Sequence, residues 1–343
     1  MSELRTVEWV KGRVRMIDQT QLPDRLVYVN LRSYRQVSRA IREMVVRGAP
    51  AIGVAAAMGM ALAAHEGRDK GRDRILKQLD LAAGSLRASR PTAQNLFWAV
   101  DRVLQRARNA SPNEDLGKLV VDEAERMAEE DVRANLSIGS YGADLLADGD
   151  QVLTHCNTGT LATVNYGTAL APIRTAVRQG KRVRVIATET RPRLQGAKLT
   201  AYELMSDKIP VTLIADGASG YVIRKGMVQK VIVGADRITK SFVANKVGTY
   251  LIALAARESN IPFYVAAPAS TFDLRRDVSE VKIEERDRKE VTHINGKRVA
   301  ARGVPVYNPA FDLTPVELVR GFVTEKGVFT PDALTAQPAS IQA

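Results

Sequence analysis

Five short apolar runs in the second half of the chain are each followed by a residue that could line an active site. These residues are Cys156, Glu189, Asp216, Asp236 and Pro268. Because ligands of an open parallel sheet bind beyond the carboxyl ends of its strands, we expect the five residues to meet at one rim. A rim with one thiol and three carboxylates can exchange protons with a substrate. A purely structural rim would more often carry turn-forming residues alone, so the pattern predicts an active site.

Cys156 is the only cysteine of the chain and lies in the run THCNTGTLAT. A lone cysteine is commonly a buried structural thiol. Here, however, polar and glycine residues follow it at a strand end, where a helix N-terminus would stabilise a thiolate. The preceding His155 should point to the opposite face of the strand, so we expect neither a Cys–His nucleophile nor a chelate. The sequence has no metal-ligand spacing, and we expect no metal site.

Asp236 follows an apolar strand pattern that ends in small residues, Val231 to Ala235. A carboxylate in that place would be partly desolvated, which favours the protonated form that a general acid needs. The alternative is an ion pair with the adjacent Arg237, which would favour the charged form. Asn245 and Lys246 follow shortly before a predicted helix, and they place an amide and an ammonium near Asp236 in the sequence.

Three arginines stand directly before a predicted helix start or a proline turn, namely Arg47, Arg90 and Arg191. Free N–H groups at a helix start, together with a guanidinium, are sufficient to bind an anion. Each arginine alone could equally be a solvated surface charge. The repetition of the pattern favours an anionic ligand.

The elements that must position these residues change in character along the chain. Ser33 and Gln36 form a capping-box pattern before a helix that we expect to stop at Gly48, and Pro50 should start the next helix. The predicted helices that follow are 51–64, 73–86, 92–107 and 116–135. From Gln151 onward, short β-rich runs alternate with helical patterns, at 152–154, 183–187, 211–215, 231–233 and 263–266.

This alternation predicts a doubly wound parallel sheet. The expected fold class is therefore α/β, with a mainly helical N-terminal domain (residues 1–120) before a Rossmann-like parallel-sheet catalytic domain (residues 121–343). The last stretch, from about residue 331, is expected to be a loose tail. No GxGxxG motif follows any strand pattern, and we expect no cofactor.

Composition narrows the class of protein further. The lone cysteine predicts a reducing, cytoplasmic compartment, and the polar N-terminus does not have the pattern of a signal peptide. The apolar stretch from Ala49 to Ala64 is too short to span a bilayer and predicts a buried helix, so no membrane partner is expected. The net charge of +12 is spread along the chain and only 5% of residues are aromatic, so nucleic acid is not an expected partner.

Seven segments of the chain resemble the 5-methylthioribose-1-phosphate isomerase family, which is related to ribose-1,5-bisphosphate isomerase and to regulatory subunits of translation initiation factor 2B. The resemblance runs from about Val7 to Leu334. The segments are MVVRGAPAIGVAAAMGMALAA (44–64), RPTAQNL (90–96), LTHCNTGTLAT (153–163), TETRPRLQGAKLTAYEL (188–204), VGADRI (233–238), NKVGTY (245–250) and YVAAPASTFD (264–273).

The resemblance implies conversion of 5-methylthioribose 1-phosphate to 5-methylthioribulose 1-phosphate in methionine salvage, by a homodimer. It implies that Asp236 is the proton donor and that Cys156 stabilises the transition state or relays a proton. It also implies a set of substrate-binding residues: Arg47, Gly48, Ala49, Arg90, Gln195, Asn245 and Lys246.

One loop departs from the family pattern. The family usually has an Asn-Gly-Asp turn between its ADRI motif and Asn-Lys, whereas this chain has Thr239-Lys240-Ser241-Phe242, one residue shorter. The loop flanks the expected site and leaves two alternatives open. One is a ribose-1,5-bisphosphate isomerase, which would need a second phosphate site. The other is a regulatory subunit without chemistry, although such a subunit would need neither Cys156 nor Asp236.

Overall fold

The computed structural model describes residues 4–67, 71–91, 93–274, 283–336 and 338–342. The chain divides into two compact units, of which the first comprises residues 1–137 and 158–171 and the second residues 138–157 and 172–343. The first unit is mainly helical and the second contains a parallel sheet, which confirms the expected fold class. The boundary expected after residue 120 stays a prediction. The expected helix start at Thr92 lies outside the described residues.

The first unit contains a small antiparallel sheet and a group of packed helices. The strands are β1 (Val7–Val10), β2 (Arg13–Ile17) and β3 (Tyr28–Leu31), and the helices are α1 (Tyr34–Arg42), α2 (Ala49–Gly67), α3 (Arg72–Ser89), α4 (Gln94–Arg108) and α5 (Leu116–Ala143). Residues 138–143 of α5 belong to the second unit. The strands pair in the order β1-β2-β3. The Ser33 hydroxyl accepts the N–H of Gln36 and caps α1, as the sequence predicts.

Helix α1 ends at Arg42, six residues before Gly48, which was expected to stop it. Met44 adopts a left-handed backbone with φ of 60°. The N–H of Val45 then bonds the carbonyl of Ala40, and the N–H of Met44 bonds that of Ile41. These two bonds form a Schellman motif. Methionine is an uncommon residue at the left-handed position of this motif, so the sequence did not reveal the stop.

Helix α2 is the centre of the first unit. Its residues from Ala51 to Ala64 are all buried, which is the pattern of a helix that packs on every side. By length and composition α2 could cross a membrane, but 78% of its most apolar window is buried inside the protein. The small side chains let other helices approach closely; a Cβ on Gly59, for example, would lie 3.2 Å from both Leu86 and Val37.

The second unit is built on one large sheet. Within the described residues its strands are β4 (Gln151–Thr154), β5 (Arg184–Thr188), β6 (Val211–Ile214), β7 (Lys230–Val233), β10 (Phe263–Ala266), β14 (Gly321–Thr324) and β15 (Gly327–Phe329). They lie in the order β15-β14-β10-β7-β4-β5-β6, and only β15 pairs antiparallel. Strands β4, β5 and β6 follow one another toward one edge of the sheet, and β7, β10 and β14 follow one another toward the other edge. The strand order therefore reverses between β4 and β7.

Two smaller sheets and short helices complete the second unit. The remaining strands are β8 (Arg237–Ile238), β9 (Phe242–Lys246), β11 (His293–Ile294), β12 (Lys297–Arg298) and β13 (Phe311–Pro315). Strands β8, β9 and β13 form one antiparallel sheet, and β11 and β12 form a hairpin. The helices are α6 (Leu170–Arg178), α7 (Ala201–Ser206), α8 (Ser219–Arg224), α9 (Thr249–Glu258), α10 (Lys289–Thr292), α11 (Ala333–Ala336) and α12 (Pro338–Gln342).

The C-terminal stretch differs from the loose tail expected from its composition. It forms α11 and α12, and both Leu334 and Ile341 are fully buried in the hydrophobic core of the second unit. Burial of these two apolar side chains therefore holds the C-terminal stretch against the core of the second unit, although its other residues are mostly small or polar.

Candidate active site

Cys156 and Asp236 follow the two strands between which the strand order reverses. Cys156 comes two residues after β4, and Asp236 comes three residues after β7. The two strands are parallel neighbours, with Leu153 opposite Val231. In open α/β sheets the crevice at the carboxyl side of such a reversal is the usual binding place for a ligand. The geometry of the sheet thus directs both residues to the position where chemistry is expected.

The backbone of Cys156 is held on both sides by threonine hydroxyls. Cys156 has a φ of 69°, in the left-handed region that residues with a side chain rarely adopt. Its N–H donates to Thr190 Oγ1 at 2.9 Å, and its carbonyl accepts from Thr200 Oγ1 at 2.7 Å. The residue is 7% exposed. Its thiol is consequently presented in one fixed, enclosed position.

Gln195 contacts the thiol directly. Its Nε2 lies 3.3 Å from Cys156 Sγ and can donate to it. Gln195 Oε1 is buried and, among the residues that the structure describes, has no hydrogen-bond partner. A buried acceptor without a donor is costly, so this oxygen is suited to a hydroxyl of a bound ligand. The structure therefore brings together two residues of the predicted site.

A tight approach of chain segments places Gln195 and Thr200 near the thiol. Residues Gly196–Thr200 form a turn of π-helix that continues into α7, and such turns are frequent at functional sites. A Cβ on Gly196 would overlap the carbonyl oxygen of Thr188 and lie 2.7 Å from Thr190 Oγ1. Only glycine lets this turn approach the end of β5 so closely.

His155 links the cysteine strand to the segment after Lys246. Its Nε2 lies 2.9 Å from the carbonyl of Val247, which can only accept, so Nε2 carries the proton. Its Nδ1 therefore accepts from Thr188 Oγ1 at 2.6 Å. Burial lowers the pKa of His155, and the charge of Lys246 lowers it further. The ring is neutral and connects two chain segments, and it is not paired with the thiol.

Asp216, another residue of the predicted rim, shapes the loop that carries Gln195. Its carboxylate accepts the N–H of Thr190 at 2.7 Å and that of Arg191 at 2.6 Å. The Arg191 guanidinium bonds the carbonyls of Pro192, Glu290 and Val291, and anion binding by Arg191 stays a prediction. This arginine joins two parts of the second unit.

A β-hairpin brings Asp236 beside the Asn-Lys motif. The N–H of Asp236 donates to the carbonyl of Ala244, the residue before Asn245. Strands β8 and β9 pair from this point to the turn at 239–241, which is the loop that departs from the family pattern. Within the turn, Thr239 bonds Phe242 through both its backbone and its hydroxyl. The shorter loop is therefore an ordered hairpin turn.

The side chain of Asn245 bonds the start of α9, and that of Lys246 contacts Ala310 and Phe311 at the start of β13. Asn245 is buried and its Nδ2 donates to Thr249 Oγ1 at 3.1 Å. The Lys246 ammonium donates to the carbonyl of Ala310 at 2.6 Å and lies 4.7 Å from the centre of the Phe311 ring. Asp312 accepts the N–H of Gly248 at 2.6 Å and so caps α9, and burial raises its pKa to about 6.

A buried ionic network lies next to Cys156 in the sequence. Asn157 Nδ2 donates to Glu203 Oε1 at 2.8 Å. The Arg174 guanidinium donates to Glu203 at 2.8 Å and to Asp207 at 2.7 Å. Burial alone would lower the pKa of Arg174, but the two carboxylates outweigh it and the pKa is raised. All of these charges are paired, as buried charges must be.

The remaining predicted binding residues lie in the first unit. Gly48 has a φ of 93°, and a Cβ there would lie 2.5 Å from the backbone of Ala162, so the position requires glycine. Helix α2 begins directly afterwards at Ala49. Arg90 ends α3 as its C-cap and does not open α4, which begins at Gln94. Substrate binding by Arg47, Gly48, Ala49 and Arg90 stays a prediction.

In the second unit Cys156 bonds Gln195 directly and is joined through hydrogen bonds to the segment after Lys246, while the backbone of Asp236 bonds the residue before Asn245. The catalytic and binding roles of these residues stay predictions. Sequence reasoning did not single out the residues that hold them, namely Thr188, Thr190, Thr200, Gly196 and Asp312. The one signal in the sequence was that these threonines and Gly196 all lie within the segment TETRPRLQGAKLTAYEL (188–204), which resembles the family. In the described ranges, no three His, Cys, Asp or Glu side chains are grouped so that they could hold a metal ion.

The fold and the site together define a class: an α/β protein with a doubly wound parallel sheet and a candidate active site at the strand-order reversal. The model of the Initiation factor 2 subunit family matches residues 45–331. The chain belongs to this family.

Individual relatives resemble the chain over almost its whole length. A Methanothermobacter thermautotrophicus protein named putative methylthioribose-1-phosphate isomerase is 50% identical over 96% of this chain and 99% of its own. The structure of 5-methylthioribose 1-phosphate isomerase from Pyrococcus horikoshii OT3 has a TM-score of 0.90 and 43% identity, covering 96% of this chain and 94% of that one. These similarities confirm the resemblance found in the sequence.

A further solved structure carries a different name. The structure of the translation initiation factor eIF-2B, subunit delta, from A. fulgidus has a TM-score of 0.89 and 49% identity. It covers 99% of this chain and 100% of that chain. Similarity of fold and sequence therefore extends to proteins named for translation as well as for isomerisation.

Proposed function

We propose that this protein is an aldose–ketose isomerase that converts 5-methylthioribose 1-phosphate to 5-methylthioribulose 1-phosphate in methionine salvage. The observation that carries the proposal is the placement of a fixed thiol and a carboxylate after the two strands where the sheet order reverses. Adjacent strands lie about 4.8 Å apart, so a five-carbon sugar can span the ends of β4 and β7.

The reaction changes the protonation of four substrate atoms, and we assign these proton transfers to Asp236 and Cys156. Phosphate on the anomeric oxygen prevents the ring from opening as that of a free sugar does. During isomerisation the ring oxygen and C1 each gain a proton, while C2 and its hydroxyl each lose one. Asp236 gives the proton to the ring oxygen and, as the carboxylate this leaves, takes the proton of the C2 hydroxyl, which returns it to the acid form. Cys156, as the thiolate, takes the proton from C2 and delivers it to C1, which returns it to the thiolate form.

Gln195 can contact both the thiol of Cys156 and a hydroxyl of the substrate. Its Nε2 is directed at the Cys156 sulfur, and its buried Oε1 can accept from a sugar hydroxyl. Asn245 and Lys246 contribute a polar and a positive group beside Asp236, where charge develops as the ring opens. Direct transfer of a hydride from C2 to C1 would use the same residues less actively. Reaction in deuterated water separates the two routes, because label at C1 of the product requires proton transfer.

The substrate is tested by comparing two sugars with the purified protein. We expect kcat/KM for 5-methylthioribose 1-phosphate to exceed that for ribose 1,5-bisphosphate by at least about 100-fold, because a buried phosphate without a partner site is strongly disfavoured. Product formation can be followed by phosphorus NMR. Faster turnover of the bisphosphate would transfer the assignment to the rival isomerase. If neither sugar is converted, the result would favour a regulatory subunit without catalytic activity, the alternative to which the similarity to the eIF-2B subunit delta structure points.

The protein is further proposed to act in the cytoplasm as a homodimer. Tyr221 on α8 and Tyr250, Leu251 and Leu254 on α9 are exposed by 36–69%. Helix α8 packs against α9, so these four side chains belong to one part of the surface of the second unit. An apolar group of this kind, here called the α8–α9 surface, supports association with a second copy of the chain.

A further inference from the structure

We propose that Thr190 and Thr200 are positioning residues that hold Cys156 in its left-handed conformation by bonding both of its peptide groups. The inference rests on the proposed function in that it takes Cys156 as the reacting thiol. Neither threonine reaches the sulfur, so their effect on the reaction is exerted through the backbone of Cys156.

The first bond fixes the N–H of Cys156. Thr190 Oγ1 accepts this N–H at 2.9 Å, and Thr190 is fully buried. The Thr190 hydroxyl proton in turn lies between Thr188 Oγ1 at 3.2 Å and the Thr188 carbonyl at 3.3 Å. Thr188 donates to His155, which donates to Val247. The hydrogen bonds all run in one direction and connect Cys156 with the segment after Lys246.

The second bond fixes the carbonyl of Cys156. Thr200 donates to this carbonyl at 2.7 Å and also accepts from Asn157 Nδ2 at 3.3 Å. Asn157 further contacts Glu203 of the buried ionic network. The hydroxyl of Thr200 is thereby oriented toward Cys156 from a rigid part of the second unit.

Both bonds are needed because the conformation of Cys156 is unfavourable by itself. A left-handed backbone is costly for a residue with a Cβ and persists only where the surroundings fix it. Without the two hydroxyls, Cys156 can return to an extended conformation, which moves its thiol away from Gln195 Nε2. A misplacement of about 1 Å in a reacting group is sufficient to lower kcat by about 100-fold.

The test uses valine and serine at both positions. Thr→Val keeps the shape and removes the hydroxyl, whereas Thr→Ser keeps the hydroxyl. We expect Thr190→Val and Thr200→Val to lower kcat by about 10- to 100-fold with KM changed by less than about 3-fold, and the serine variants to stay within about 3-fold of the parent. Thr154→Val is the matched control, because Thr154 is buried in β4 and its hydroxyl has no partner among the described residues.

A second readout does not depend on turnover. Cys156 is the only cysteine, so alkylation by iodoacetamide, followed by mass spectrometry, reports on this thiol alone. Release of the enclosed thiol should speed its alkylation at least about 5-fold in the valine variants, while the serine variants and Thr154→Val stay within about 2-fold. If a valine variant does not fold, the alanine variant at the same position replaces it, with the serine variant as its reference.

Unchanged kcat and unchanged alkylation in folded valine variants would overturn the inference. Loss of activity in the serine variants as well would also overturn it, since the hydroxyl would then not be the operative group. These outcomes differ from failure of the proposed function, which is recognised by full activity of Cys156→Ser while the threonine variants still alter alkylation.

Discussion

Single residues of the site carry backbone conformations that their side chains do not favour. Cys156, Thr190 and Leu194 all have positive φ, and all three lie within or beside the segments that enclose the thiol. Such strain concentrates at functional sites because the surrounding structure fixes it there. The strain at Cys156 can be measured separately from the chemistry of its thiol.

The strain predicts an unusual order of stability at position 156. We expect Cys156→Gly to be more stable than Cys156→Ala by about 1 kcal/mol, because glycine adopts the left-handed region without a Cβ penalty. Denaturant unfolding of both variants measures the difference. In the control Ala187→Gly, within strand β5, glycine should instead destabilise by about 0.5–1 kcal/mol. An alanine variant at least as stable as the glycine variant at position 156 would show that the conformation carries no strain.

The identity of the candidate catalytic residues could be predicted from the sequence, but the residues that hold them in place could not. Cys156 and Asp236 are visible because each follows a β-rich run. The roles of Thr190 and Thr200 depend on hydroxyl directions that arise only when the π-helical turn packs on β5. No local pattern encodes this packing, since it depends on the missing Cβ of a single residue, Gly196.

At the level of elements, the positions of helices and strands follow closely from periodicity, while their ends depend on particular contacts. Each predicted strand of the parallel sheet is present to within a residue or two. Helix α1 ends early through the Schellman motif at Met44, and α5 continues to Ala143 beyond the predicted end at 135. The tail forms α11 and α12 because Leu334 and Ile341 reach the core.

Helix α5 carries a carboxyl group that should make stability depend on pH. Asp131 accepts the N–H of Val164 at 2.7 Å and the Asn135 amide at 3.0 Å. Burial raises its pKa from 3.8 to about 7 despite these bonds. Because the folded protein holds the proton of Asp131 more strongly than the unfolded chain does, binding of this proton adds to the free energy of unfolding. The contribution is complete below about pH 4 and is lost as pH rises to about 7.

Asp131→Asn should therefore match the parent protein near pH 4 and exceed its free energy of unfolding by about 2–4 kcal/mol at pH 8. Denaturant unfolding across this pH range measures the difference. Asp148→Asn is a suitable control, since Arg182 lowers the pKa of the exposed Asp148 to about 2 and the sign should reverse. Equal stability of the Asp131→Asn variant and the parent at pH 8 would contradict the expected burial cost.

At the scale of the whole molecule, the net charge of +12 and the exposed apolar groups are properties of the surface. The sequence predicts an excess of positive charge suited to anionic ligands, but it does not tell which apolar residues are exposed. Leu251 and Leu254 lie in the helix that the sequence predicts after Lys246, and only the packing of α9 shows that they face outward. The exposure of these side chains is therefore seen only in the structure.

Association through the α8–α9 surface can be tested by adding charge. We expect the parent protein to be a dimer at micromolar concentration and Leu251→Glu to shift it to monomer, because a buried unpaired carboxylate strongly opposes association. Sedimentation velocity measures both species. Leu81→Glu on α3 is the control, since Leu81 is similarly exposed at 62% but lies on the first unit. A dimer that persists in Leu251→Glu would place the interface elsewhere.

The most direct measurement of the central claim is the kcat of the Cys156→Ser and Asp236→Asn variants on 5-methylthioribose 1-phosphate, with folding verified by thermal unfolding. Each substitution preserves size and removes one proton-transfer group, so each should lower kcat by about 10²–10⁴-fold. Formation of 5-methylthioribulose 1-phosphate at the parent rate by both folded variants would contradict the assignment of this thiol and this carboxylate as the catalytic pair.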